Sequence, residues 1–309
     1  MSSAQANSSA ERAQEDLADQ QATARRAPAR RRGLIAAGSV VIVLAIVVVL
    51  VILKSAGKTP VAPASPPSAT RVEQNVTRLI ASVPSAALNQ VGVGRTYPAA
   101  GSVYPHSVQN VRPTVKLLTS GGKPQIVYVG ADYCPFCAAE RWALAVALSR
   151  FGTFSGLGLI HSSSTDEYPN TPTLSFYKAT YSSKYLVFTA TEAATVNRAP
   201  LQPLTPLDKT VMGKFDAPPY VPSSAYDDSF PFVDFANKYV IVGASYNPGL
   251  LAGLTWQQVA ADLARPSSTV GAAIDAAANH ITAAICKATN DQPANVCTSS
   301  GVTSASGSI

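Results

Sequence analysis

One uncharged apolar stretch near the start of the chain limits what the remainder can become. Residues 33–53 carry no charged side chain and are bounded by Arg32 and Lys54. About 20 such residues are what a helix needs to span a hydrocarbon core. A cleaved signal peptide has a shorter apolar region, of about 7–15 residues, and a short basic start. The stretch therefore predicts a single transmembrane helix, and residues 54 onward are expected on one side of a membrane.

The charges around this stretch predict its orientation. Lys54 and Lys58 follow it, whereas five arginines precede it closely, namely Arg25, Arg26, Arg30, Arg31 and Arg32. Because basic residues stay in the cytoplasm, residues 1–32 are expected to be a disordered cytoplasmic tail and the C-terminal part to be extracytoplasmic. The same cluster accounts for much of the net charge of +6. The other basic residues are scattered, so a nucleic-acid partner is not expected.

The rest of the chain divides by composition. Residues 54–70 form a Pro-rich linker, residues 71–298 one folded domain and residues 299–309 a flexible tail, while the proline-rich passage 192–229 is expected to be an irregular surface insertion. Apolar periodicity and turn residues predict a mixed α/β domain. The predicted helices lie near 72–83, 137–151, 255–265 and 270–285, and the predicted strands near 114–118, 126–129, 157–161, 176–191, 230–235 and 239–243.

Two cysteines with two residues between them follow a predicted strand and open a predicted helix. Unpaired N–H groups and the helix dipole favour a thiolate at a helix N-terminus, so Cys134 is the expected nucleophile. Cys137, nearly one turn on, is the expected resolving thiol. Pro135 suits the first helical turn, and Phe136 brings no charge. The alternative of an inert disulfide is weakened because so short a loop restricts the unfolded chain little.

A second pair, Cys286 and Cys297, lies at the end of the last predicted helix and just after it. We interpret it as a structural disulfide that holds the C-terminal segment; a second redox centre that exchanges with Cys134 is the alternative. Ten residues between these cysteines do not suit a closed zinc site. Neither a metal nor a cofactor is expected.

The strand, the motif Tyr133-Cys-Pro-Phe-Cys137, the helix, and Phe230-Pro231 at the start of a hairpin followed by a C-terminal helix together resemble the thioredoxin superfamily. The resemblance implies a thioredoxin-like α/β fold and a cis-proline at Pro231 beside the cysteines. Phe230, Pro231, Pro135 and Phe136 would then contact the substrate. Pro231 follows Cys137 by 94 positions, which implies an insertion like those of extracytoplasmic Dsb-type relatives.

Over about residues 70–298 the chain is also similar to a membrane-anchored bacterial and archaeal family catalogued as domain of unknown function 929. That similarity implies a fold relationship and no activity. The chain departs from thioredoxin at Tyr128, where that superfamily has a buried acid, and at Tyr133, where it has a tryptophan. Asp132 or Glu140 are candidates for a nearby acid, against the alternative of solvated charges, and His161 is either a site residue or a structural one.

These features predict a thiol–disulfide oxidoreductase at the outer face of a cell membrane. Its partners would be cysteine-containing exported proteins and an unknown redox partner, and because Phe136 lacks a cation we expect a less oxidising couple than that of a strong periplasmic oxidase. A second hypothesis is a non-catalytic, membrane-anchored interaction module in which both cysteine pairs are structural. A third hypothesis is a dedicated thiol donor for cofactor or metal maturation.

Overall fold

A computed structural model gives the structure of the chain over residues 68–94, 108–111, 114–221 and 229–309. The predicted cytoplasmic tail, the predicted transmembrane stretch 33–53 and most of the linker 54–70 lie outside these residues. Within the described ranges, no helix is long and apolar enough to cross a membrane.

The described residues form a mixed α/β structure in which helices and strands alternate. The helices are α1 (Ser68–Ala81), α2 (Ser85–Val91), α3 (Pro135–Ser149), α4 (Pro206–Phe215), α5 (Trp256–Asp262), α6 (Thr269–Ala288), α7 (Ala294–Cys297) and α8 (Ser300–Ser306). The strands are β1 (Gln109–Asn110), β2 (Thr119–Ser120), β3 (Lys123–Gly130), β4 (Gly152–Ser155), β5 (Gly158–His161), β6 (Pro172–Ser175), β7 (Thr180–Ser183), β8 (Val187–Glu192), β9 (Phe232–Phe235) and β10 (Tyr239–Val242).

Strand β3 is the centre of the main sheet. The order β1-β10-β9-β3-β2 runs through antiparallel pairs, and β8 pairs with β3 in parallel, so the sheet is mixed. Residues 125–130 of β3 are all buried, as expected of a strand covered on both faces. β4–β7 and β5–β6 form two further two-stranded sheets.

The alternation of side chains along β3 divides the core between two faces. Ile126 and Tyr128 pack in a cluster with residues of α3 and α6, including Trp142 and Ile281. Val127 and Val129 pack on the other face in a second cluster, whose members from α4 are Val211, Met212 and Phe215. The sheet is thus covered by α3 and α6 on one side and by α4 on the other.

The passage 192–229 is not the irregular excursion that its prolines predict, because it contains α4. Thr205 and Asp208 form a reciprocal capping box at the start of α4, and Pro206 occupies its first turn. Three apolar residues of the helix are buried against the sheet. The prolines open the helix here, and its buried face then holds it in place.

The predicted flexible tail 299–309 also differs from the structure, since it contains helix α8. Val302 and Ala305 are fully buried, and the Gly301 N–H donates to Asn89 Oδ1 at 3.0 Å. A sequence rich in Ser, Gly and Ala gives little amphipathic signal, but it allows close packing of α8 on α6 and α2. The folded unit therefore includes α8 and begins at least as early as Ser68.

Two predicted strands also shift. The stretch 114–118 has no strand, and the short strand that pairs with the start of β3 is Thr119–Ser120, joined to it by Gly121 and Gly122 with φ of 56° and 78°. The predicted buried strand 157–161 is β5, which is half-buried and ends at the exposed His161.

Candidate redox site

Cys134 lies at the N-cap of α3, four residues after β3 ends at Gly130. Its sulfur acts as the capping acceptor, because the Cys137 N–H donates to Cys134 Sγ at 3.2 Å. The Cys134 N–H in turn donates to the Ala131 carbonyl at 3.2 Å. Pro135 occupies the first turn, where a missing N–H costs nothing. The sulfur thus takes the place that a Ser, Thr or Asp side chain usually holds.

Both thiols are free and buried, but to different degrees. Cys134 keeps 5% of its surface exposed, whereas Cys137 has none. Only Cys134 is therefore reachable from solvent. The same sulfur lies 3.7 Å from the carbonyl oxygen of Phe230.

The pKa values of the two thiols move in opposite directions. Burial opposes ionisation of Cys134, but hydrogen bonds from Cys137, the charge of Arg141 and the Phe136 N–H together lower its pKa below the ordinary thiol value. Burial raises the pKa of Cys137 well above that value, and the neighbouring Cys134 raises it further. The first thiol is set up to ionise and the second to remain protonated.

A buried cation lies beside this pair. Arg141 follows Cys137 by four residues on α3 and is fully buried. Its Nε and Nη2 donate to both carboxylate oxygens of Glu192 at 2.8 and 2.6 Å, and Nη2 also donates to the Ala131 carbonyl at 2.7 Å. Burial lowers the pKa of Arg141, but Glu192 raises it well above its usual range, so the guanidinium stays charged. Its charge lowers the pKa of both thiols.

This ion pair was not predicted from the sequence. Arg141 lies on the apolar stripe of the helix predicted near 137–151, whereas Glu192 is the first residue of the proline-rich passage 192–229, which was expected to be irregular. An arginine on a core-facing stripe needs a partner, because an unpaired buried charge is very costly. The signal therefore existed for Arg141, but the partner, 51 residues on, depends on β8 pairing in parallel with β3.

Tyr128 is the position at which the resemblance to thioredoxin implies a buried acid, and the structure gives this residue a different character. Its side chain is fully buried on β3, with its ring centroid 5.9 Å from the Arg141 guanidinium carbon. Its Oη has no hydrogen-bond partner among the described residues. Burial raises the pKa of Tyr128 well above its usual range, so this hydroxyl stays protonated at neutral pH.

The candidate acids are not solvated charges, since both are buried. Asp132 Oδ1 accepts from Ser175 Oγ at 2.9 Å and lies 3.7 Å from Arg141 Nη2, which places it at the edge of the site. Glu140 accepts from the N–H and Oγ of Ser245, on the loop after β10, and burial raises the pKa of Glu140 to about 7. His161 is exposed and packs on the Trp256 ring with centroids 4.4 Å apart.

The contact between the Phe230 carbonyl oxygen and Cys134 Sγ shows that Phe230 and Pro231 lie beside the thiols. The peptide bond between them is cis. The Gly243 N–H donates to the Pro231 carbonyl at 2.8 Å, which fixes the start of the β9–β10 hairpin. The structure therefore brings together Cys134, Cys137, Pro135, Phe136, Phe230 and Pro231.

Cys286 and Cys297 form a disulfide, with Cα atoms 5.6 Å apart, between the end of α6 and α7. Lys287, the next residue, accepts at its carbonyl from Lys238 Nζ at 2.9 Å. Lys238 lies in the β9–β10 turn, at the opposite end of the hairpin from Phe230. This disulfide is therefore remote from Cys134. The described ranges contain no group of three His, Cys, Asp or Glu side chains able to hold a metal ion.

Comparison with known proteins places the chain in a family. A family model described as a domain of unknown function, DUF929, matches residues 110–287, more than half of the chain. The chain belongs to this family. The matched segment runs from β1 to the end of α6 and includes Cys134, Cys137, Arg141 and Glu192. Searches among curated proteins and among solved structures found no match.

Proposed function

We propose that this protein is an extracytoplasmic thiol–disulfide oxidoreductase that acts on cysteine-containing exported proteins. The observation that carries the proposal is the unequal pair of free thiols at the N-terminus of α3. Cys134 is slightly exposed with a lowered pKa, and Cys137 is buried with a raised pKa. Such a difference separates an attacking thiolate from a resolving thiol.

The exchange needs no other reactant than a client disulfide. The Cys134 thiolate attacks one client sulfur, the client S–S bond breaks, and one client thiolate leaves. Cys137 then attacks Cys134 in the mixed disulfide, and the second client thiolate leaves with the proton of Cys137. The protein gains a Cys134–Cys137 disulfide and the client gains two electrons. The reverse sequence oxidises a client dithiol, with an external redox partner restoring the protein.

Arg141 bears on the direction of electron flow. A cation that stabilises the Cys134 thiolate stabilises the reduced form of the protein and so makes the couple more oxidising. Arg141 supplies from inside α3 the positive charge that Phe136 lacks, although Glu192 balances it. A titration against glutathione buffers measures the outcome: a potential near about −120 mV, that of a strong oxidant, contradicts the weaker couple expected from Phe136.

The thioredoxin-like relationship and the membrane topology belong to the same proposal. Support for the first comes from β3 leading into α3, from β8 lying parallel to β3, and from the hairpin that carries Pro231 to Cys134. Support for the second comes from the apolar stretch 33–53 and the five arginines that precede it. Together they support a position of Cys134 outside the cytoplasm, where client disulfides form.

A trapping experiment tests the activity. The full-length Cys137→Ala variant, expressed in its native membrane, is expected to accumulate mixed disulfides through Cys134, because the resolving step is removed. The matched control is Cys134→Ala/Cys137→Ala, which should trap nothing. If the single variant traps no client, and the wild-type chain neither oxidises dithiols nor reduces disulfides in test proteins, the proposal fails.

The burial of both sulfurs favours one competing function, a non-catalytic interaction module. In that case neither thiol needs to react. Alkylation with iodoacetamide at pH 7 distinguishes the two functions. In an enzyme, Cys134 is expected to be alkylated quickly and Cys137 to stay unmodified, whereas in a non-catalytic module both thiols stay unmodified.

A further inference from the structure

Four aromatic residues lie near Cys134: Tyr133 and Phe136 are within two positions of it in sequence, the Phe230 carbonyl oxygen is 3.7 Å from Cys134 Sγ, and Tyr168 contacts Phe136. All four residues are half-buried, so each is partly accessible to a partner. Tyr133 directly precedes Cys134, and Phe136 lies edge-on to Tyr168 with ring centroids 5.8 Å apart. We call these four residues the aromatic collar.

The loop that carries Tyr168 is fastened to the site. The Ser163 N–H donates to the Tyr133 carbonyl at 2.9 Å, and the Ser162 N–H donates to the Thr171 carbonyl at 2.9 Å. Ser162 Oγ donates to the Tyr168 carbonyl at 3.2 Å. Because the loop is held at both ends and in the middle, the collar is formed before any client arrives, and little conformational entropy is lost on binding.

Arg198, a cation beside the collar, already has a partner. The guanidinium carbon of Arg198 lies 4.0 Å from the centre of the Tyr133 ring, and Arg198 Nη2 pairs with Asp166 Oδ2 at 2.6 Å. Glu167, the next residue, is exposed. This rim therefore presents aromatic surface and a slight excess of negative charge.

The chemistry of Cys134 determines what must lie against this surface. A mixed disulfide places the client sulfur about 2.05 Å from Cys134 Sγ, and neighbouring residues of a chain follow at about 3.8 Å per step. Since only 5% of Cys134 is exposed, the residues flanking the client cysteine are pressed onto the collar. A folded protein with a recessed disulfide cannot approach so closely.

From this geometry we infer that the site accepts extended polypeptide segments whose reactive cysteine has apolar, uncharged neighbours, and that it disfavours acidic neighbours. The inference rests on the proposed exchange activity and names its substrate class. Tyr168, 34 residues after Cys134 in sequence, is the specificity-determining residue that the exchange reaction itself does not require.

The test measures mixed-disulfide formation by the full-length Cys137→Ala chain in detergent. The substrates are disulfide-linked peptide dimers in which the single cysteine is flanked by Leu, Ser or Glu, and a control disulfide of 2-mercaptoethanol has no side chains for the collar. Each rate is divided by that of free 2-mercaptoethanol thiolate attacking the same substrate, which removes differences in leaving-group pKa. We expect the Leu peptide to react about tenfold faster than the Ser peptide, a ratio equivalent to about 1.4 kcal/mol. The Glu peptide is expected to be the slowest.

A variant pair assigns the preference to the collar. Adding Tyr168→Ala is expected to reduce the Leu-to-Ser ratio to about twofold, whereas Ser164→Ala, at an exposed position of the same loop, should keep both that ratio and the rate of the control disulfide. Equal normalised rates for all peptides, or a ratio unaffected by Tyr168→Ala, overturn the inference and leave the exchange activity standing. Absence of reaction with every peptide and with the control disulfide instead overturns the proposed function.

Discussion

The two cysteine pairs of this protein sit at opposite ends of helices, and their environments differ accordingly. Cys134 caps the N-terminus of α3, where free N–H groups and Arg141 lower its pKa. Cys286 lies in the last turn of α6, where the carbonyl end of a helix disfavours a thiolate, and it is joined to Cys297. The proposed nucleophile Cys134 and the disulfide-bonded Cys286 are the same residue type, but they lie at opposite ends of their helices.

The largest expected difference between the pairs is in activity. Cys134→Ser is expected to reduce disulfide exchange to the uncatalysed level, because serine supplies no thiolate. The double variant Cys286→Ser/Cys297→Ser is expected to leave the rate of exchange within about twofold of wild type, since the C-terminal disulfide lies at the far end of the β9–β10 hairpin. Exchange rates with a reduced test protein measure both. If Cys286→Ser/Cys297→Ser were as inactive as Cys134→Ser, both cysteine pairs would be needed for exchange.

The next largest effect is expected from Arg141, the cation beside Cys134 and Cys137. Arg141→Met is expected to cost about 3–5 kcal/mol of unfolding free energy, because it leaves Glu192 buried without its partner, and to raise the pKa of Cys134. Thiolate absorbance against pH follows the pKa, and urea unfolding follows the stability.

Glu192→Gln is the matched control for that effect. It damages the same ion pair but leaves the cation, so the pKa of Cys134 should fall instead of rise. Shifts in the same direction for Arg141→Met and Glu192→Gln would mean that Arg141 acts only through packing.

The C-terminal disulfide is expected to act on stability alone. Replacing both Cys286 and Cys297 by Ser should lower the free energy of unfolding by about 2–3 kcal/mol, in line with an 11-residue separation in sequence. Alkylation of Cys134 at neutral pH should keep its wild-type rate. A change in that rate would reveal a coupling between the two cysteine pairs.

The smallest effect is a pH dependence that comes from α6, the helix carrying Cys286. Asp275 is fully buried there, neither of its carboxylate oxygens has a hydrogen-bond partner within the part of the chain that the structure describes, and burial raises its pKa to about 8. A carboxyl group with a raised folded-state pKa stabilises the fold fully below its unfolded value near 4, and that contribution is lost as the pH rises toward 8. Burial also raises the pKa of Glu140 and Asp234, each to about 7, which acts in the same direction.

Urea unfolding at pH 5 and pH 9 measures this dependence. The wild-type protein is expected to be less stable at pH 9 than at pH 5. Asp275→Asn is expected to raise the free energy of unfolding at pH 9 by about 1–2 kcal/mol, and the pH dependence that is left comes from Glu140 and Asp234. Identical pH dependence in the variant and the wild type would exclude Asp275 as a source.

The sequence predicted what local chemistry controls. The strand into Cys134, the first-turn Pro135, the helix predicted near 255–265 and the β9–β10 hairpin all depend on residues within a few positions of one another. The approach of Phe230 to Cys134 was implied by the resemblance to the thioredoxin superfamily. Helix α4 carried the same kind of signal at Thr205–Asp208, but the surrounding prolines outweighed it.

Long-range pairing explains what the sequence did not predict. Glu192 meets Arg141 only because β8 returns parallel to β3, and Tyr168 reaches Phe136 only because its loop is fastened to the Tyr133 carbonyl. Helix α8 is held by the burial of Val302 and Ala305, which its Ser- and Gly-rich sequence does not indicate. The sequence shows that Asp132 and Glu140 are close to the cysteines along the chain. Whether they are buried or solvated depends on the tertiary structure, so the sequence could not predict their burial.

The burial of α3 sets how the molecule can respond to a change in oxidation state. Of its 15 residues, only Phe136 and Ser149 are not buried, so the helix is packed against other residues on all sides. We therefore expect α3 to keep its position when the two sulfurs form a disulfide, and the conformational change to be confined to the Cys134 side chain and its loop. The reduced and oxidised proteins should therefore have almost the same outline, and a partner that distinguishes them must read the sulfur atoms themselves.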